Sequence, residues 1–157
     1  MQVNGKKVLV VGMARSGIAV AQLLKKHGAV VTVNDNKTAE ELGETLAPLR
    51  DYDINYALGC PAAEVLAGQD VLVISPGISV NAGFVKTARE MGIHVTGELE
   101  IAYELSKGQM AAITGTNGKT TTTTLLGEMM KAAGRTTHVV GNIGYPYSQA
   151  GLESREG

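Results

Sequence analysis

Residues 7–35 read KVLVVGMARSGIAVAQLLKKHGAVVTVND, and this stretch decides the fold class. It opens with Val8–Val11, a continuous run of valine and leucine that is typical of a parallel strand buried on both faces. A glycine turn follows, and apolar residues then recur at helical spacing over residues 16–26. Gly28 supplies a C-terminal cap, and residues 29–34 form a second apolar strand. Strand, turn, helix and strand in this order predict a βαβ unit.

The same alternation continues to residue 97. The sequence predicts helices or helical turns at 38–49, 62–67 and 82–91, and strands at 54–58, 71–74 and 93–96. Strands that alternate with helices at this spacing favour a parallel sheet with right-handed crossovers. We therefore expect an α/β fold, in which residues 1–97 form a Rossmann-like, doubly wound parallel sheet domain.

Residues 98–157 are predicted to contain a linker helix and the start of a second domain. After the helix (97–108) come a strand at 110–114, a helix at 119–133 and a strand at 137–140, whereas residues 148–157 are polar and without a pattern. So few elements cannot close a hydrophobic core by themselves. We expect the chain to hold a complete first domain and the truncated start of a P-loop ATPase-type α/β domain.

Composition excludes several classes of partner. The formal charge of −1 and a pI near 6.3 give no electrostatic reason to expect nucleic acid or an anionic membrane. The single cysteine, Cys60, cannot form an internal disulfide, which favours a reducing compartment. The sequence shows neither a signal-peptide core nor an apolar run of the ~20 residues that span a bilayer. A cytoplasmic protein is expected.

Residues 113–121, Ile-Thr-Gly-Thr-Asn-Gly-Lys-Thr-Thr, have the composition of a loop that binds the phosphates of ATP. Such a loop needs backbone N–H groups that converge on the anion and glycines that let it approach, here Gly115 and Gly118. Lys119 would reach the terminal phosphates, and the hydroxyl of Thr120 would bind Mg²⁺. The usual pattern has glycine where this chain has Ile113, so the loop is a shortened variant.

The other loop residues have less defined roles. Asn117 either stabilises the loop or approaches the nucleotide, and Thr121 is placed to bond a phosphate. With Thr116 they complete a candidate ATP-binding set over residues 115–121. A glycine-rich turn with an exposed lysine is the alternative without function.

A second glycine turn, Gly12-Met13-Ala14-Arg15-Ser16-Gly17, is similar to a dinucleotide fingerprint, but Ala14 replaces its middle glycine. Asp35 ends the next strand, where a ribose-binding acid would lie. Backbone N–H groups at the helix N-terminus can still hold a diphosphate. The turn is compatible with a nicotinamide cofactor, another nucleotide diphosphate or a purely structural role. The methyl group of Ala14 crowds the close approach that a nicotinamide dinucleotide requires, which favours another nucleotide diphosphate.

Ser75-Pro76-Gly77-Ile78 follows another predicted strand. The carboxyl ends of parallel strands are the edge at which open α/β sheets bind ligands. Gly77 would let a base or a sugar approach the backbone, and a tight turn leaving the strand is the alternative.

The two glycine loops in tandem resemble the Mur ligases of peptidoglycan synthesis. Three further motifs, 75–78 (SPGI), 97–100 (GELE) and 141–144 (GNIG), resemble the members that add D-glutamate. The resemblance extends in the correct order from residue 3 to about residue 150. It implies an enzyme that uses ATP and Mg²⁺ to activate the L-alanine carboxylate of UDP-MurNAc-L-Ala. The acyl phosphate is then attacked by the amino group of D-glutamate.

The resemblance also implies roles for individual residues. Lys119 and Thr120 would serve the ATP site, with Lys119 on the β- and γ-phosphates. The UDP-sugar would be held mainly by residues of the first domain. Arg15 and Ser16 would lie at the diphosphate, and Asp35, Asn36 and Lys37 at uracil, with Gly77 in the same pocket. Asn142, after the ATP loop, would contact the sugar.

The family's Mg²⁺-binding glutamate and histidine, its carbamylated lysine and its third domain have no counterpart in these residues. The resemblance therefore implies that the chain alone is inactive as a ligase. Two other hypotheses stay open from the sequence, an NAD(P)-binding oxidoreductase domain and a stand-alone nucleotide-binding module.

Overall fold

The computed structural model describes residues 1–141 and 146–153. Within these two ranges, no helix has both the length and the apolar character needed to cross a membrane.

A five-stranded parallel sheet is the centre of the fold. Its strands are β1 (Lys7–Val11), β2 (Val30–Asp35), β3 (Asn55–Leu58), β4 (Val71–Ile74) and β5 (His94–Gly97). Their order is β3-β2-β1-β4-β5, and every neighbouring pair is parallel. The chain thus builds outward from β1 in one direction and then in the other, which confirms the doubly wound α/β fold.

Side chains of the central strand β1 alternate between two hydrophobic cores, because successive residues of a strand point to opposite faces. Val8 and Val10 belong to the core under helix α1 (Arg15–Lys26), and Leu9 and Val11 belong to the core under helix α3 (Gly83–Glu90). All four are buried. Burial on both faces explains why this strand is a continuous apolar run.

The helix predicted over residues 38–49 is wrong in part. Helix α2 covers only Ala39–Leu42, and a 3₁₀ helix, Gly43–Leu49, follows it. The α-helix begins well, because the Thr38 hydroxyl and the Glu41 side chain form a capping box. It ends at Gly43, whose φ of +48° is not helical, and Pro48 disfavours a regular helix beyond that point.

Beyond β5, the structure has helices α4 (Glu98–Leu105) and α5 (Lys119–Ala132). The strands predicted at 110–114 and 137–140 are wrong for the described residues, which show no more than an isolated bridge at Val140. A strand forms only when a neighbour pairs with its backbone groups over several residues, and the described residues of these two segments have no such ladder.

A helix that the sequence did not reveal, α6 (Tyr147–Glu153), packs against α1 and α4. Its Ser148 is fully buried, and the Ser148 hydroxyl donates to Oε1 of the buried Glu98 over 2.6 Å. The Lys26 ammonium of α1 donates to the Leu152 carbonyl. Residues that follow the predicted ATP loop in the chain therefore pack against helices that flank the sheet.

Replacing Glu98 by alanine is expected to destabilise the protein by about 1–3 kcal/mol, because the buried Ser148 hydroxyl loses its acceptor. Urea denaturation would measure this loss. The control is Glu104→Ala in the same helix, since Glu104 is exposed and pairs with the N-terminal amine at the surface, where ion pairs contribute little. Equal stabilities of the two variants would contradict a role for the Glu98–Ser148 contact.

Candidate functional site

A cavity of about 490 Å³ lies at the carboxyl ends of β1 and β2. The strand order reverses direction at β1, and the crevice at such a reversal is where open α/β sheets bind ligands. Asp35 and Asn36 form the polar part of its lining. Pro61, Ala62, Ile78 and Phe84 form an apolar wall. A largely apolar cavity with a few polar groups suits a small organic ligand.

The first glycine turn forms one boundary of this cavity. Gly12 lines it and has a φ of +94°, a conformation that other residues rarely adopt. The Gly12 carbonyl accepts a hydrogen bond from the Ser75 hydroxyl over 2.9 Å. A Cβ atom on Gly17 would lie 1.9 Å from that same carbonyl oxygen. Gly17 is thus needed for the close approach of α1 to the turn, which is the packing role that the fingerprint assigns to its last glycine.

Asp35 connects the first glycine turn to the end of β2 by hydrogen bonds. One carboxylate oxygen, Oδ2, accepts from the Met13 N–H over 2.7 Å, and Oδ1 accepts from the Lys37 N–H over 3.0 Å. The side chain therefore fixes both the glycine turn and the segment that carries Asn36. Each oxygen keeps a second lone pair with which it can accept from a ligand.

The predicted UDP-sugar residues fall into three groups. Asp35 and Asn36 line the cavity. Gly77 directly precedes the lining residue Ile78, and a Cβ atom at Gly77 would have open space around it. Arg15, Ser16 and Lys37 lie at the rim, on the first turn of α1 or just beyond β2, and are exposed or half-buried. Asn142 lies outside the described residues.

Sequence reasoning missed the apolar wall of the cavity. Pro61 and Ala63 lie on the turn and 3₁₀ helix after β3, and Phe84 lies on α3. These residues come together only through the sheet topology. The one signal in the sequence was that Phe84 is the only phenylalanine in the chain.

The predicted ATP loop precedes α5, as its mechanism requires. Gly118 is the N-cap of α5 and has a φ of +75°, and Gly115 has a φ of +143°. The four first-turn N–H groups of a helix lack intrahelical partners, so the fourteen-residue helix α5 offers donors and a positive dipole end to an anion.

The lysine of this loop folds back over it. The Lys119 ammonium donates to the Gly115 and Thr116 carbonyls, the second over 3.2 Å. Asn117, Thr120 and Thr121 are exposed at the same helix start. A positive charge and hydroxyl groups beside a helix N-terminus fit the phosphates and Mg²⁺ of a nucleotide.

The described residues, 1–141 and 146–153, contain no group of three or more His, Cys, Asp or Glu side chains placed to hold a metal ion. His27, at the far end of α1 from the glycine turn, has a lowered pKa because burial and then the nearby Lys26 and Lys107 disfavour its charged form.

Comparison with known families gives matches over both regions. A model of the Mur ligase MurD-like N-terminal domain matches residues 6–97. A model of the Mur ligase middle domain matches residues 113–155. The first match contains the whole sheet and the cavity, and the second contains the ATP loop and α6.

Individual relatives agree with these matches. UDP-N-acetylmuramoylalanine–D-glutamate ligases from Alkaliphilus metalliredigens and Thermoanaerobacter pseudethanolicus are 44% and 47% identical over 99% and 100% of this chain. The chain spans 35% of the length of each. A solved pseudomurein peptide ligase type C from Methanothermus fervidus has a TM-score of 0.53 and 27% identity, over 83% of this chain and 27% of that one. Because the MurD-like model covers more than half of the residues, this chain belongs to the Mur ligase family.

Proposed function

We propose that the chain is the part of an ATP-dependent ligase that binds UDP-MurNAc-L-Ala and begins the ATP site, and that the complete ligase adds D-glutamate. The observation that carries the proposal is the presence, in one chain, of a cavity at the sheet reversal and a Lys119 phosphate loop before α5. The names of the relatives support the same reaction. In domain terms, residues 1–97 would bind the UDP-substrate, and 98–157 would comprise the linker helix and the start of the ATP-binding domain.

The cavity would hold the uridine end of the substrate. Its apolar wall suits the face of a pyrimidine, and Asp35 and Asn36 can bond the edge of the ring. The diphosphate would lie at the N-terminus of α1, beside Arg15 and Ser16, where first-turn N–H groups favour negative charge. In this arrangement Lys37 and Gly77 lie at the uracil, and Asn142 is assigned to the sugar.

The ATP loop would act at the other end of the UDP-sugar substrate, where the L-alanine carboxylate lies. ATP would supply the γ-phosphoryl group that converts the L-alanine carboxylate to an acyl phosphate, with Mg²⁺ sharing the negative charge. Residues 115–118 would wrap the phosphates with backbone N–H groups, and Thr120 would orient the metal ion. Lys119 would neutralise charge on the phosphoryl oxygens during transfer, and Thr121 would bond a phosphate.

The amide then forms when the D-glutamate nitrogen attacks the acyl carbon and inorganic phosphate leaves, the nitrogen losing a proton. Ligation is expected to need the further length that the relatives have, so residues 1–157 alone would bind substrate without joining it to D-glutamate. ATP and a UDP-activated sugar as substrates place the proposed enzyme in the cytoplasm.

Calorimetric titration of the chain with UDP-MurNAc-L-Ala, and separately with NADH, tests the proposal. The uridine nucleotide is expected to bind, and Asp35→Ala is expected to weaken it by about tenfold, because the turn and the 36–37 segment lose their common acceptor. ATP affinity should not change in that variant. Tight NADH binding with no response to the uridine nucleotide would instead support an oxidoreductase domain.

A further inference from the structure

We propose that Asn34 is a positioning residue that sets the width of the cavity, and thereby the affinity for the uridine ring. This inference rests on the proposed function for the identity of the ligand. Its mechanical part, the fixing of one cavity wall by a buried amide, stands on the contacts of Asn34 alone.

Asn34 is 1% exposed and occupies the next-to-last position of β2. Its amide nitrogen donates to the Ala57 carbonyl over 2.7 Å and to the Cys60 carbonyl over 3.0 Å. Ala57 lies in β3 itself, and Cys60 lies in the turn after β3 that leads directly into the lining residue Pro61. One amide group therefore ties the start of the apolar wall to the sheet.

Asp35, the next residue, holds the opposite boundary. Its carboxylate accepts from Met13 of the glycine turn, whereas its carbonyl accepts from the Gly59 N–H over 2.9 Å, in the same segment after β3 that Asn34 holds. Two successive residues of a strand point to opposite faces. The Asn34 amide and the Asp35 carbonyl thus hold the segment after β3, and the Asp35 carboxylate holds the glycine turn, so the separation of the two sides depends on both residues.

The amide oxygen of Asn34 supports this interpretation. Within the part of the chain that the structure describes, this buried Oδ1 atom has no hydrogen-bond partner. An unpaired buried acceptor costs about 1–3 kcal/mol, a cost that an apolar residue of similar size would avoid. A buried amide at this position is consistent with a need for its two N–H donors, and these act on the wall of the cavity.

A flat ring between two walls makes contact on both faces only when atoms lie about 3.5–4.0 Å apart. A shift of the wall by about 1 Å forfeits a large part of that attraction. The position of the segment after β3 should therefore determine how well a pyrimidine is held.

The test compares Asn34→Asp with Asn55→Asp in the 157-residue chain. Asn34→Asp keeps the shape of the side chain but places a carboxylate oxygen against the two carbonyls. Asn55 lies on the neighbouring strand and makes one longer contact, 3.5 Å from its Nδ2 to the Val31 carbonyl, outside the cavity lining. Asn34→Ala is the second variant, since it removes the donors without adding charge and covers the case in which Asn34→Asp does not fold.

Two quantities are measured. The first is amide hydrogen exchange without ligand, which is expected to accelerate by about tenfold over residues 57–63 in the Asn34 variants, while β1 and β4 keep their rates. The second is the dissociation constant of UDP, which is expected to rise by about tenfold in the same variants. Asn55→Asp should change neither quantity. A residue that only contributes to global stability would raise exchange throughout the sheet.

Unchanged exchange over residues 57–63 in the Asn34 variants, or exchange that rises equally in β1, would overturn the inference. So would a local acceleration with unaltered UDP affinity. If the wild-type chain binds no uridine nucleotide, the proposed function fails, and the exchange measurement still decides whether Asn34 holds the wall.

Discussion

Lys119→Ala, introduced into the complete ligase, is expected to lower kcat by about 10²–10³-fold, the usual effect of removing one preorganised group that stabilises transition-state charge. The phosphoryl group carries its negative charge on three oxygens during transfer, and Lys119 is the cation at the start of α5. Release of ADP under saturating substrates is the measurement. Affinity for UDP-MurNAc-L-Ala should stay at the wild-type value, since Lys119 is absent from the cavity lining.

Lys131→Ala is the matched control for this variant. Lys131 lies at the other end of the same helix, where it pairs with Glu128 at the surface. Its loss should leave kcat within about twofold of the wild-type value, because exposed ion pairs of this kind contribute little. If Lys119→Ala kept full activity, or weakened the uridine substrate and not ATP turnover, the assignment of the two loops to two ligands would be wrong.

Gly17→Ala is expected to have the largest effect on stability, about 3 kcal/mol or more, which is roughly a 10 °C fall in Tm for a domain of this size. The added methyl group would lie 1.9 Å from the Gly12 carbonyl oxygen. Because the clash is with backbone and not with a flexible side chain, α1 would have to move away from the turn. The movement would also displace the proposed diphosphate site, so UDP affinity should fall in the folded fraction. Thermal unfolding followed by circular dichroism measures the first effect.

Gly83→Ala provides the comparison. Gly83 is the first residue of α3, and a Cβ atom there meets nothing within 4 Å. Alanine should be neutral or slightly stabilising at that position, because it restricts the unfolded chain without a clash. A Gly17→Ala protein as stable as Gly83→Ala would contradict the tight approach of α1 to β1.

Much of the sheet domain could be predicted from the sequence, because its signals are local. Buried parallel strands are short apolar runs, and α1 has both helical spacing and a glycine cap, so their positions agree with the structure to within one or two residues. The predicted helix at 38–49 failed where Gly43 and Pro48 interrupt a regular α-helix. The predicted strands at 110–114 and 137–140 failed because strand formation depends on a partner that no local pattern reveals.

The cavity shows the same division. Gly12 and Asp35 were recognisable because a glycine turn and an acid at the next strand end have a known spacing. Phe84, Pro61 and the role of Asn34 were not, since each depends on contacts between elements distant in the chain. Helix α6 was missed because its buried residues are small or polar, Ser148, Ala150 and Gly151, and give no apolar stripe.

Because α6 packs beside α4, the chain between these two helices is held at both of its ends. The chain passes from the end of α4 at Leu105 to the predicted ATP loop and α5, and α6 packs against both α1 and α4. A segment held at both ends has a limited reach, because closing the loop removes extended conformations that a chain held at one end would keep. The proposed nucleotide site and the proposed uridine site are therefore connected both by the covalent chain and by the Glu98–Ser148 hydrogen bond.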